Sequence, residues 1–425
     1  MKVVIMAGGK GTRISEISKD VPKPLIKIGD KPILEHELLC LKKQGFTDIL
    51  ITVSHLGDQI INYFGDGSKL GIHIDYFFEK QPLGNAGALF EIKDKLTDDF
   101  LLLNADSLFD IDFKRFVEYH KAKGGLATLF THPNSHPYDS GVIIADSNNI
   151  VVRWLNKEDD RPKWYKNRVN AGLHILSKKL ISNRPDTPKV DLDRQILKPL
   201  AGSGQMFCYD SPEYVKDMGT PDRFYHVLED YKNGFVTSRN LLNKQKAIFL
   251  DRDGTINKFV GFLRDIDDFK LLDGVTDAIK KINNSGYLAI VVSNQPVIAR
   301  GEVSFEQLDE IHNKMETLLG NEGAFLNAIY FCPHHPDKGF EGERPEFKFD
   351  CDCRKPKPGM LLKAAKDFNI DLSQSIMIGD DENDVLAGNA AGCKSFIVGE
   401  RPFRSNISAP RYKDLKTAIE CILGK

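Results

Sequence analysis

A chain of 425 residues with 41% hydrophobic content, 34 glycines and 20 prolines can bury two or three separate cores, which excludes a disordered or fibrous protein. Its formal charge of −2 provides no overall basic surface for nucleic acid or an anionic membrane, so the expected partners are small molecules. No apolar run approaches the ~20 residues of a membrane span, and the start MKVVIMAGGKG has neither a signal-type apolar segment nor a cleavage site, so a cytoplasmic enzyme is expected.

In chain order, the β-branched run KVVIM opens onto the glycine loop AGGKGTR, and much later KAIFL opens onto DRDGT. Each reads as the first strand of an open sheet. DILITV, FLLLNAD, LAIVVSN and SIMIGD follow as strands, alternating with amphipathic helical stretches. This is the βαβ pattern of doubly wound α/β sheets, whose ligands sit at strand carboxyl ends. Between the two starts, PDRFYHVLEDYKNGFVTSRNLLNKQK reads as a helix with a polar tail. It sets a boundary near residue 242, with domains 1–242 and 243–425.

In the first loop, Gly8, Gly9 and Gly11 remove side chains where backbone N–H groups could approach a triphosphate, and Lys10 and Arg13 add cations. The loop lacks the G-x-x-x-x-G-K-[ST] of a Walker motif. VPKPLIKIGDKPILEH, EKQPLGNAGAL, NADS, VNAGLHIL and KDMGTP come next, and in this order the set resembles the sugar-phosphate nucleotidyltransferases over roughly residues 1–230. The resemblance implies a Rossmann-like domain in which Gly8, Gly9, Gly11, Thr12 and Arg13 form the triphosphate loop and Lys23 is a cation on the phosphates. It further implies that Gln81, Gly84 and Asn85 line the base and ribose, that Asp106 and Asp217 hold Mg²⁺, and that Asn170, Gly172 and Lys157 bind the sugar phosphate. The chemistry demands such cations, because a sugar 1-phosphate must attack the α-phosphorus of an NTP, anion on anion, without a protein nucleophile. Asn85 stands where many relatives have Thr.

In FLDRDGT, Asp251 and Asp253 stand two apart directly after an apolar strand. One carboxylate there can attack phosphorus while the other protonates the leaving oxygen and later activates water. The motif resembles that of the haloacid-dehalogenase (HAD) phosphatases, and Ser293 with Asn294, Lys355 of RKPKPGM, and Asp380 with Asp384 of GDDEND continue that family's set. The resemblance implies Asp251 as nucleophile, Asp253 as general acid and base, and Ser293 and Lys355 on the transferring phosphoryl group. Mg²⁺ would be held by Asp251, Asp380 and the carbonyl of Asp253. Only short connections follow Asp253, so an open site without a large cap is expected.

CPHHPDKGFEGERPEFKFDCDCRKP begins at Cys332 and supplies Cys332 and His334, then Cys351 and Cys353. In a reducing compartment these are four ligands suited to one structural, tetrahedral Zn²⁺ that orders a polar loop just before Lys355. Cys40, Cys208, Cys393 and Cys421 read as core fillers. With NQPVIARG, the cysteine stretch resembles the D,D-heptose 1,7-bisphosphate 7-phosphatase branch of the HAD family over about residues 246–400, histidinol-phosphate phosphatase being a near relative. Pro296, Val297 and Asp381 depart from the heptose pattern, while Asn294, Arg300 and Arg354 are candidate substrate contacts.

Together the halves imply a bifunctional enzyme of nucleotide-heptose synthesis. A HAD-like domain with a zinc loop frees C7 of heptose 1,7-bisphosphate, and a nucleotidyltransferase couples heptose 1-phosphate to a nucleotide, GTP above all. The alternatives are a histidinol-phosphate-type phosphatase fused to a transferase for another hexose 1-phosphate, or use of ATP or CTP. No nucleic acid or membrane partner is expected, and self-association is left open.

Overall fold

The computed structural model describes residues 1–9, 17, 20–339, 341–403 and 407–424. Gly11, Thr12 and Arg13, three members of the expected triphosphate loop, lie outside these, as does Lys10. Among the described residues no helix is long and apolar enough to cross a membrane. The chain forms two compact units: Met1–His132 with Ile143–Leu155 and Asn170–Leu242, and Pro133–Val142 with Asn156–Val169 and Asn243–Lys425.

In the first unit, the strand Lys2–Ala7 lies between Asp48–Val53 and Asp99–Asn104, parallel to both, and His73–Phe78 continues the parallel sheet beyond Asp48–Val53. Alternate side chains of KVVIM enter opposite cores. Val3 and Ile5 join Leu101 and Leu103, whereas Val4 joins Leu50 and Leu102. Burial on both faces explains the unbroken apolar run. Val169–Ser177 pairs antiparallel with Asp99–Asn104, so this sheet is mixed; an apolar run carries no mark of its direction.

The second unit has a six-stranded, all-parallel sheet in the order Ala328–Cys332, Tyr287–Asn294, Lys246–Leu250, Ile376–Gly379, Lys394–Val398, Arg411–Tyr412. Ile248, Leu250, Ala289, Val291, Ile376 and Ile378 share one core. Helix Phe305–Asn321 starts at a capping box in which Ser304 and Gln307 satisfy each other's backbone N–H groups.

Pro133–Val142 and Asn156–Val169 group with this unit for a visible reason. Tyr165 N donates to Thr317 Oγ1 at 2.9 Å and the Thr317 hydroxyl donates back to Tyr165 O at 3.0 Å, while Pro137 stands against Gly320 of the same helix. The single boundary expected near residue 242 is therefore the last of several passages of the chain between units. The earlier passages carry no compositional signal.

Ile248, fully buried in the central strand that ends at the DRDGT loop, is a sensitive test of this core. Replacing it with Ala should lower unfolding free energy by about 2–5 kcal/mol in denaturant titration.

Candidate active sites and a candidate metal centre

The first unit gathers its polar groups at strand carboxyl ends. Gly8 follows Lys2–Ala7, and Ser54 Oγ donates to its carbonyl at 2.7 Å. Glu79, not singled out in the sequence, stands beside Gly8 and accepts from Leu83 N at 3.2 Å. Burial holds its carboxyl above the usual range, opposed by the Leu83 N–H.

Lys23 Nζ meets Asp106 Oδ2 at 2.8 Å. Ser107–Asp110 pairs antiparallel with Tyr214–Asp217, placing Asp217 opposite Ser107, and Met218 N donates to Asp106 O at 3.1 Å. Two aspartates far apart in sequence are thereby brought side by side. Asp217 also receives Arg223 Nη1 on both oxygens, at 2.9 and 2.8 Å, and Gly219 N at 3.0 Å. Burial raises its pKa, but Arg223, Gly219 and Lys23 outweigh it and leave the carboxyl below its ordinary value. Arg223 went unnoticed in the sequence. The signal was present in GTPDR, where Thr220 caps helix Pro221–Lys232 and places Arg223 in its first turn.

Other expected contacts have structural partners of their own. Gly84, at φ +86°, has no space for a Cβ against the Val190 carbonyl, and Asn85 Oδ1 accepts from Leu192 N at 2.7 Å, so both lock residues 190–192 in place. Gln81 is exposed. Asn170 Oδ1 accepts from Gly172 N at 3.2 Å and from His174 Nε2 at 3.0 Å. Burial lowers the His174 pKa to about 3, which keeps that ring neutral. Lys157 is exposed and pairs with Asp139 at 2.6 Å. Both belong to segments grouped with the second unit, whereas Asn170 and Gly172 belong to the first.

In the second unit Asp251, Ser293 and Asp380 sit at or just beyond the ends of three adjacent parallel strands. Lys355 Nζ donates to Asp251 Oδ1 at 2.6 Å, to Asp384 Oδ1 at 2.6 Å and to Val292 O at 2.8 Å. All three ammonium hydrogens have acceptors, so Lys355 neutralises the Asp251 carboxylate and fixes its place. Burial opposes the charge on Lys355, but Asp251 and Asp384 prevail and hold it protonated. Asn294, expected on substrate, also clamps the Lys355 backbone: Nδ2 donates to Lys355 O at 2.9 Å and Oδ1 accepts from Lys355 N at 3.0 Å.

Asp251, Asp380 and Asp384 place carboxylate oxygens within 4.8 Å of one another, all buried. Burial, Asp384 and Asp381 push Asp380 up to about 6 against the pull of Arg401, and burial likewise pushes Asp251 upward. This surplus of negative charge fits a divalent cation. Asp384 also accepts from Asp381 N at 3.0 Å in a capping box that opens helix Glu382–Ala391, leaving Asp251 and Asp380 as the better-placed ligands.

Asp253 is held by Arg252 Nη2 on both oxygens, at 3.0 and 2.8 Å, by Asn257 Nδ2 at 3.0 Å and by Gln295 Nε2 at 2.9 Å. Burial raises its pKa, yet Arg252, Asn257 and Gln295 outweigh this and favour the carboxylate. Gln295 Nε2 also donates to Ser293 Oγ at 2.8 Å. Arg300 pairs with Glu302 at 2.7 Å and lies over the Phe262 ring, and Arg354 Nη1 donates to His334 O at 3.2 Å.

Cys332, His334, Cys351 and Cys353 converge as the sequence spacing suggested. Cys332 Sγ lies 3.4 Å from Cys351 Sγ and 3.1 Å from Cys353 Sγ, and Cys353 Sγ lies 3.3 Å from His334 Nδ1. The three cysteines are free of disulfides. The contacts with Cys332, Cys351 and His334 draw the Cys353 thiol below its ordinary range against the opposing effect of burial. Three sulfurs and one imidazole nitrogen around a common centre form a donor set for a closed metal site.

At Gly254, φ is +90° and a Cβ would collide with the Asp380 carboxylate. Gly254→Ala should cost about 1–3 kcal/mol in backbone strain alone, measured as a lower melting temperature, and should displace Asp380, measured as weaker activation by divalent cation.

Residues 2–234 match the nucleotidyl transferase family, and residues 352–403 match a HAD-hydrolase-like family. D-glycero-beta-D-manno-heptose-1,7-bisphosphate 7-phosphatase of Haemophilus influenzae is 48% identical over 154 residues, 36% of this chain and 80% of that protein. Among solved structures, HddC from Yersinia pseudotuberculosis matches at 27% identity and a TM-score of 0.47, covering 54% of this chain and 99% of that one. The D,D-heptose 1,7-bisphosphate phosphatase of B. bronchiseptica, complexed with magnesium and phosphate, matches at 31% and 0.36, covering 42% and 98%. The chain belongs to the nucleotidyl transferase family over its first half and joins to it a HAD-like phosphatase of the family that includes the Haemophilus influenzae enzyme.

Proposed function

We propose that the second unit removes the C7 phosphate of D-glycero-D-manno-heptose 1,7-bisphosphate and that the first transfers a nucleotidyl group, GMP from GTP, to the resulting heptose 1-phosphate, releasing pyrophosphate. The observation that carries this reading is the buried Asp251–Lys355–Asp384 array at the sheet's carboxyl edge, in a chain 48% identical over 154 residues to a phosphatase named for that bisphosphate.

In the first half-reaction an Asp251 oxygen bonds to phosphorus as the bond from phosphorus to the sugar oxygen breaks, and Asp253, which must enter this step protonated, gives that oxygen its proton. In the second, water attacks the aspartyl-phosphate, Asp253 takes the water's proton, and phosphate leaves with Asp251 restored. Mg²⁺, held by Asp251, Asp380 and the Asp253 carbonyl, would supply charge neutralisation. Ser293 would bind the transferring phosphoryl group. The second phosphate would be recognised by Arg300 and Arg354: besides burial, Arg354, Lys348 and Arg300 together depress His335, so positive charge converges there. Cys332, His334, Cys351 and Cys353 would hold a structural Zn²⁺.

In the first unit, Asp106 and Asp217 would hold a second Mg²⁺, with Lys23 and the glycine loop against the triphosphate. Gln81, Gly84 and Asn85 would border the nucleotide, and Asn170 and Gly172 the sugar phosphate. The sugar 1-phosphate oxygen bonds to the α-phosphorus and pyrophosphate departs.

Asp251→Asn should cut phosphate release from the bisphosphate by on the order of 10³-fold or more while pyrophosphate release from heptose 1-phosphate and GTP continues. Asp106→Ala should do the reverse, by on the order of 10²-fold. Wild-type protein that releases phosphate only from histidinol phosphate, or pyrophosphate only with another NTP, would overturn the corresponding substrate. Cys351→Ser should lose zinc by elemental analysis, and full retention of zinc would remove that ligand.

A further inference from the structure

The residue between the two motif aspartates, Arg252, is fully buried although it carries a full positive charge. A buried guanidinium is costly unless paired. Among the described residues its carboxylate partner is Asp253, met on both oxygens by Nη2. Its Nη1 reaches His312 Nε2 at 3.2 Å, and its Nε has no partner there. His312, on helix Phe305–Asn321, is itself buried and its ring lies 5.6 Å from that of Phe331. Burial and the neighbouring Arg252 lower His312 to about 3, so the ring is neutral and Nε2 accepts. Had the position only to fill space, an apolar side chain would do so without the desolvation of a charge. What the guanidinium adds is a direction for the Asp253 carboxylate, since neither ion can turn away without leaving the other buried and bare.

We propose that Arg252, backed by His312, is the positioning residue that holds Asp253 for proton transfer to and from the scissile phosphate. This rests on the phosphatase reading of the second unit. In the step concerned, the Asp251–phosphorus bond forms, the phosphorus–sugar oxygen bond breaks, and one proton passes from Asp253 to the sugar oxygen. A sugar alkoxide requires that proton, whereas p-nitrophenolate departs without it.

The test compares kcat/KM for heptose 1,7-bisphosphate and for p-nitrophenyl phosphate in full-length Arg252→Met. Misplaced proton transfer should cost the sugar substrate on the order of 10²-fold or more and the aryl substrate less than about tenfold. Equal losses on both substrates would reduce Arg252 to a structural role, and no loss or a gain on the sugar substrate would also overturn the proposal. Should Arg252→Met not fold by circular dichroism, His312→Leu and His312→Gln decide by the same ratio. Leu removes the acceptor for Nη1 and should shift the ratio in the same direction; Gln supplies one and should return it to the wild-type value. An unchanged ratio in both overturns the proposal. If wild-type protein cleaves a different alkyl phosphate, the heptose assignment falls, and the ratio taken with that ester still tests Arg252.

Discussion

A lysine shared between two buried carboxylates governs the second unit. Lys355, Asp251 and Asp384 are each less than a tenth exposed, and charges so far from water persist only when paired and hydrogen-bonded. The surrounding sheet meets that demand. Val292 gives the lysine its third acceptor, Asn294 clamps its backbone, and the capping box of helix Glu382–Ala391 fixes Asp384. The position of Asp251 is therefore set by electrostatic necessity, and the parallel strands bring the charges to one edge.

The cysteine cluster extends the same logic. Only Arg354 separates Cys353 from Lys355, and its side chain donates to the carbonyl of His334. Ordering the sulfur ligands thus orders the segment that delivers the lysine. The first unit solves a milder version of the charge problem. Asp106 is 40% exposed and Asp217 47%, each already facing a cation of the chain, Lys23 and Arg223. An incoming nucleotide or metal would have to share or displace those cations.

Much of this was legible in the sequence, for physical reasons. Runs buried on both faces read as strands, and the carboxylates and cysteines that follow them declare chemistry through spacing. Roles that depend on three-dimensional partners were not legible. Asn294 follows Ser293 and invites a substrate role; that its amide also clamps the Lys355 backbone has no local sequence signal. Arg252 drew no expectation from the sequence, because nothing local says that its side chain turns inward to His312, sixty residues away. Asp106 and Asp217 were linked through family resemblance; their proximity comes from the pairing of Ser107–Asp110 with Tyr214–Asp217, two short strands with little sequence signature.

The reciprocal bonds between Tyr165 and Thr317 bear on how the chain is made. Synthesis runs from the amino terminus, and domains ordinarily fold as they emerge. Here the segments Pro133–Val142 and Asn156–Val169 interrupt the first unit but pack on a helix that begins at Phe305. They leave the ribosome long before their partner exists, so Tyr165, buried in the finished protein, stays in water until the second half has been translated. Expression of the first half alone would preserve that unfinished state, and expression from Asn243 onward would leave the Thr317 hydroxyl without its match. The two units are thus joined by a shared order of assembly, and no single cut in the chain yields both of them whole.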